Sequence, residues 1–319
     1  RTFAMLLVAR MGVGIGEAAG SPTAHSMISD TFPPHRRATA LAVYAMGVYV
    51  GIMFGYIAAG WLGEHLGWRL TFIVVGTPGL VLALVLYLTV DEPERSTTVE
   101  SHALGEVVAY LFAKPAYVVL LAAASFHAAA AYSVAHWAST LLLRVHGMTL
   151  ADVGLSLGLV TGLSGAAGSL AGALVSDRLG RANRAWYART TAFAALTSLP
   201  FAIAFVSSES AWAALAWLAP MTFLTGIYIG PLYAMNQGLA RPRMRAMAVA
   251  IHLFVVSILG GGVGPWAVGL MNDAFRAEYG EAGIRQSLVW VQSVCLLGAG
   301  ACYAIVSRTL ARDMEGTET

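Results

Sequence analysis

Runs of about twenty apolar residues recur from end to end of this chain, each long enough to carry a helix across the roughly 30 Å of a bilayer's hydrocarbon. In that medium every backbone N–H and C=O must be satisfied within the protein, so only helices and closed barrels can span it. Barrel strands read as short alternating segments, and these runs do not alternate. The sequence therefore predicts an all-α integral membrane protein with nine transmembrane helices, near residues 3–24, 38–62, 68–90, 116–138, 150–174, 186–206, 211–237, 246–270 and 287–308. Composition agrees: 58% of residues are hydrophobic and 11% charged, against about 25% charged in soluble domains.

The remaining charges are sorted by loop. Arg36, Arg37, Arg95, Lys114, Arg178, Arg181, Arg184, Arg189, Arg241, Arg243, Arg245, Arg308 and Arg312 alternate onto one side, thirteen in all, while Arg1, Arg69, Arg144, Arg276 and Arg285 make five on the other. The positive-inside rule makes the first side cytoplasmic and places the C-terminus there. Asp91–Lys114 is the longest charged interruption and organises the chain into 1–90, a cytoplasmic linker at 91–115, and 116–319. Within the linker, Glu100–Phe112 has the spacing of an amphipathic helix with Leu104, Val107, Val108 and Leu111 as its apolar stripe, ended by Pro115. Cys295 and Cys302 both fall in the last span, where reduced thiols are expected. The chain opens on Arg1 without a readable leader, so it is expected to be the remainder of something longer.

Two charges inside the first span resist that sorting. Arg10 and Glu17 are seven residues apart, hence on one helix face and roughly 10 Å apart along the axis. Either costs roughly 2.5–3.5 kcal/mol at the centre of a bilayer, so each is expected to pair or to serve traffic. Gly12, Gly16 and Gly20 recur at four-residue intervals, as do Gly47, Gly51 and Gly55 in the second span and Gly154, Gly158 and Gly162 in the fifth. Small residues at that spacing let helix backbones approach closely, and the second and fifth spans are expected to pack together. A weak repeat also appears. Arg37-Ala38-x-Ala40-x-Ala42 returns about 208 residues later as Arg245-Ala246-x-Ala248-x-Ala250, the kind of parallel repeat on which one transporter class is built.

At these residues the chain resembles the major facilitator superfamily. Arg10-x3-Gly14-x-Gly16-Glu17-Ala18 is similar to that family's fourth-helix motif, and Gly67-Trp68-Arg69 with Phe72 to the entry into its sixth helix. Asp177-Arg178-Leu179-Gly180-Arg181 is similar to its loop after helix eight, with one departure: Ala173 stands where the motif has glycine, and Gly172 lies one place earlier. Within the superfamily, Gly14–Ala18 is most similar to the spinster proteins, carriers of sphingosine-phosphate and lysophospholipid-type molecules. The resemblance implies a major facilitator fold in which the nine spans are helices 4–12 of twelve, and a first helix that often supplies an acidic partner for Arg10.

The expected function is secondary transport of an amphipathic, lipid-like solute with an anionic or zwitterionic head, by alternating access and coupled to protons, in a bacterial inner membrane. Glu17 is the expected proton carrier, since an apolar bundle penalises its charged form. Arg10 offers a fork suited to phosphate or carboxylate, and His252 is a further proton site. His127, Tyr132, His136, Tyr228, Tyr233 and Asn236 are expected to line the substrate path, Asp177, Arg178 and Arg181 to gate it. Gly260, Gly261, Gly262, Gly264 and Pro265 make the helix that carries His252 deformable. Packing alone would also explain those glycines, and a static polar tether would explain Glu17. Nothing points to catalysis, a cofactor, a metal or nucleic acid: no phosphate-binding loop, metal-ligand spacing or nucleophile elbow is present. A monomer is expected. A multidrug or small organic anion carrier of the same fold, and a lipid receptor that does not transport, are the competing readings.

Overall fold

In a computed structural model, residues 2–32, 34–90 and 103–315 are described, and nearly all of them are helical. The helices are α1 (Phe3–Thr31), α2 (Pro34–Thr89), α3 (Leu104–Phe112), α4 (Pro115–Arg144), α5 (Leu150–Gly180), α6 (Ala185–Ser207), α7 (Ala211–Gly226), α8 (Ile229–Leu239), α9 (Arg245–Val256), α10 (Gly264–Tyr279) and α11 (Gly283–Glu315). Six helical stretches among the described residues are long and apolar enough to cross a membrane. Two of these, Met46–Thr89 with 44 residues and Pro242–Met314 with 73, far exceed one crossing.

Local chemistry explains the breaks. α2 is split into two arms at Gly67, whose φ of 72° and ψ of 161° only glycine adopts freely. The expected seventh span is two helices, α7 and α8. Pro231 has no N–H to return to the carbonyl of Ile227 four residues back, and the ladder opens there. The expected eighth span is interrupted likewise: a π-helical segment, Ser257–Val263, joins α9 to α10 just before Pro265. Caps mark several starts. Thr149 Oγ1 accepts from Asp152 N at 3.1 Å at the head of α5, and Ser210 Oγ from Ala213 N at 3.2 Å at the head of α7.

The chain divides into two compact units, Arg1–Val50 with Ile73–Glu100, and Gly51–Phe72 with Ser101–Thr319. In the first, the large apolar side chains described from Phe3 to Ile15 on α1 and from Ile73 to Tyr87 on the far arm of α2 are exposed, while Met27 and Ile28 are half-buried. A Cβ at Gly12, Gly16 or Gly20 would meet nothing within 4 Å, so no helix among the described residues packs on that row.

The second unit holds the core. One cluster joins Val107 and Leu111 of α3 to Tyr117 and Leu120 of α4, Leu232 and Met235 of α8, and Tyr303 and Leu310 of α11. A second gathers Leu141 and Leu142 of α4, Phe205 of α6, Leu218 of α7 and Leu288 of α11. Lys114, the only lysine in the chain, fastens the α3–α4 corner, its Nζ donating to the carbonyls of Leu239 at 3.0 Å and Asp313 at 2.9 Å. Both acceptors lie at helix C-termini, where a cation is favoured.

Because lipid tails are as apolar as leucine, helices in a bilayer associate through close packing rather than water exclusion. α5 does this on two sides. A Cβ at Gly154 would lie 2.5 Å from the Tyr56 carbonyl oxygen and 2.7 Å from Gly60 Cα, and one at Gly158 2.6 Å from the Met53 carbonyl oxygen. The expected packing of these two spans is present with its α2 row shifted: Met53, Tyr56, Ile57 and Gly60 face α5, whereas Gly51 and Gly55 face open space among the described residues. On the other side, Gly168 meets the Phe223 carbonyl and Gly172 the Ile227 carbonyl that Pro231 leaves free.

Candidate functional site

The break between α7 and α8 shapes the polar interior of the second unit. It exposes the Thr225 carbonyl to a side chain, and His127 of α4 takes it, with Nε2 at 3.1 Å. The His127 ring stacks on Tyr228 at 4.1 Å and 18°, and meets the Tyr303 ring edge-on at 6.2 Å and 69°. Three helical segments thus converge on an imidazole that is fully buried. With Nε2 donating to Thr225, Nδ1 is the free acceptor; it and the Tyr303 hydroxyl are buried without a hydrogen-bond partner among the described residues.

Two more sequence-predicted residues share that condition. Asn236 on α8 and His252 on α9 are buried, and neither the amide atoms of the first nor the ring nitrogens of the second have a partner among the described residues. A buried polar group left unpaired costs roughly 1–3 kcal/mol. Several on one bundle therefore single this interior out as the candidate site. Tyr233 is half-buried on α8.

Tyr132 and His136 stand apart from this set. Both are exposed, and His136 Nδ1 is 2.8 Å from the Tyr132 carbonyl of its own helix. Nine residues at 100° each turn His136 half a revolution away from His127, so the two side chains leave α4 on opposite faces. Tyr132 faces the glycine-rich π segment, where a Cβ at Gly261 would be 3.6 Å from its ring.

The predicted gate is built on glycine packing. The Tyr187 ring lies over Gly180, 2.5 Å from where a Cβ would stand, and its hydroxyl donates to Asp177 Oδ1 at 3.1 Å. Ala173, at the motif position usually held by glycine, is accommodated by Gly230, whose Cβ would be 3.1 Å from that of Ala173. Arg178 and Arg181 are exposed. Arg10 is exposed on α1, and the side chain of Glu17 lies outside the described set.

Sequence reasoning missed four participants. Thr225 and Tyr303 look like ordinary span residues, and only the fold brings them to His127. Tyr56 donates to the Ala135 carbonyl at 2.7 Å, and Glu64 Oε2 accepts from Ala151 N at 2.6 Å, capping α5. Gly60, one turn before Glu64, was the available signal, since a helix that approaches at Gly60 brings its next turn to the head of α5.

A family model described as Major Facilitator Superfamily matches residues 1–265. An MFS-type efflux pump of Mycolicibacterium smegmatis is 30% identical over 313 residues, 97% of this chain and 72% of the pump. Protein spinster homolog 1 of Homo sapiens is 30% identical across 87% of this chain, which spans only 57% of that relative's length. A probable sphingolipid transporter, spinster homolog 1 of Arabidopsis thaliana, is 23% identical across 93% of this chain and 65% of its own. Among solved structures, a bacterial homolog to the human lysosomal transporter spinster, inward-facing and unoccupied, aligns with a TM-score of 0.84 and 29% identity, covering 98% of this chain and 79% of that one.

Proposed function

The chain belongs to the major facilitator superfamily, and from that membership we propose that it carries an amphipathic, lipid-like solute with an anionic or zwitterionic head, by proton-coupled alternating access between two bundles. The observation that carries this reading is the likeness to the bacterial spinster homolog over 98% of the chain, joined to a buried polar interior around His127 whose acceptors and donors are in part unpaired among the described residues. A polar head needs such groups; an acyl tail needs apolar walls beside them.

Arg10 would grip the head by its fork and Glu17 would load and release the proton. His127, Tyr228, Tyr233, Asn236 and His252 would hold the polar part of the solute through water or directly, and Tyr132 and His136 would meet its tail. Asp177, Arg178 and Arg181 would exchange partners as access alternates. We assign the working form to a monomer in a bacterial inner membrane with the C-terminus cytoplasmic. Residues 1–90 contribute to one bundle, 91–115 link it, and 116–319 form the other.

The match to the mycobacterial pump, 30% identical over 97% of the chain, favours a second reading, export of drug-like organic molecules. Proteoliposome flux separates the two. Uptake of a lysophospholipid or of sphingosine phosphate, uncompeted by hydrophobic cations or dyes, supports the lipid carrier; flux of the dyes alone supports the pump. Saturable lysolipid binding with no flux at any pH would assign a receptor instead.

A further inference from the structure

The π segment has a second consequence, on the outer side of the bundle. Gly260 and Gly264 bring its backbone against α4: a Cβ at Gly260 would lie 2.5 Å from Ala128 Cβ, and one at Gly264 2.7 Å from Ala129 Cα. α4 and α10 are thereby drawn together along one seam. Beyond it, where the neighbouring wall residues are alanines 122, 129 and 267, small side chains leave the space up to α11 unfilled. The result is a groove of about 510 Å³ between α4, the π segment with α10, and α11.

Its walls are hydrocarbon. Phe126, Leu259, Val263, Trp290, Val294 and Cys295 dominate them, and Ser125 contributes one hydroxyl, which has no hydrogen-bond partner among the described residues. Apolar cavities of this kind stay dry. The groove opens sideways, since Trp290, Val294 and Leu259 are 56%, 57% and 48% exposed. It also sits well inside the span: Phe126 is about 17 Å along α4 from Pro115, in a helix of 30 residues. At that depth the medium against the protein is the interior of the bilayer.

We propose that this groove is a resident site for one acyl chain of a bilayer phospholipid, separate from the polar interior around His127. The inference rests on the chain being an integral membrane protein and not on which solute it carries. Moving a tail from the bilayer into the groove removes no apolar surface from water. Affinity comes from dispersion, because a void leaves wall atoms without neighbours on one side and a tail restores contacts with three helices at once. The bound chain acts as a wedge that holds α11 against the pinned α4–α10 pair.

The test is native mass spectrometry of the full chain purified in mild detergent, with thermal unfolding beside it. Wild type should retain one two-chain phospholipid, and added long-chain phosphatidylcholine should raise its Tm. Ala267→Trp, which fills the groove, should lose both the adduct and the Tm response. Leu174→Trp, on an exposed stretch of α5, should keep both. Val263→Trp at the rim serves if Ala267→Trp does not fold. Equal lipid retention and equal Tm response in groove and control variants overturns the proposal, as does displacement of the adduct by lysophospholipid in step with transport, which would make the groove part of the solute path. Flux is measured separately, so a failed transport reading leaves the lipid result intact.

Discussion

The role proposed for Arg10 rests on the geometry of its guanidinium as much as on its charge. Arg10→Lys keeps the charge and loses the fork that meets a phosphate in two parallel bonds. Its expected effect is a KM for lysophospholipid about tenfold higher with kcat less affected, the pattern of about 1.4 kcal/mol of lost binding. A second residue-scale prediction lies outside the spans. Burial and the neighbouring Arg285 guanidinium push the His146 imidazole below its ordinary range, against a raising contribution from its bond to the Glu209 backbone. The folded protein therefore holds His146 neutral where the unfolded chain would already protonate it. Stability linked to this group is complete above about pH 6.5 and falls as the pH drops below that value. His146→Gln should flatten the decline in Tm between pH 7 and pH 5; an unchanged slope would remove His146 from the account. At this scale the sequence was half legible. The polar residues that converge were mostly named from it, but His127 and His136 were grouped by nearness along the chain although nine residues place them on opposite faces. Thr225 and Tyr303 carried no signal, because what distinguishes them is a carbonyl released by a helix break and a ring brought in by α11.

At the scale of elements, glycine rows reveal that a helix has a close-packing face without revealing what meets it. On α5 the row Gly154, Gly158 and Gly162 does receive α2, yet the α2 face that arrives is Met53, Tyr56, Ile57 and Gly60. This yields a paired prediction. Gly154→Leu must push against the Tyr56 carbonyl and the Gly60 backbone and break the Tyr56–Ala135 bond, at about 1–3 kcal/mol of overpacking. Gly55→Leu, with open space around it among the described residues, should leave Tm unchanged; equal losses in the two would contradict the seam. Pro231 makes the same kind of case for the α7–α8 break. Pro231→Ala restores the N–H that Ile227 lacks, so the two helices should straighten and the His127–Tyr228 stack loosen. The chain should still fold, with the new amide at residue 231 protected from hydrogen exchange and flux reduced. The proline was visible in the sequence, but one apolar run around it suggested an uninterrupted span.

For the whole molecule, hydropathy was the most legible signal, because a bilayer imposes it on every crossing. Class, helical content and family all followed from apolar runs and a few motif residues. Where one helix stops and the next begins followed less well: Gly67 joins two expected spans into one broken helix, while Pro231 and the π segment divide others. The central claim concerns the carboxylate in the first span, and one experiment addresses it directly. Lysophospholipid flux is recorded in proteoliposomes with an imposed pH gradient, for wild type and Glu17→Gln matched for folded protein by Tm. The account predicts gradient-driven accumulation by wild type, and in Glu17→Gln an accumulation reduced at least tenfold that no longer responds to the gradient. Gradient-driven accumulation of the same size in both proteins would contradict it.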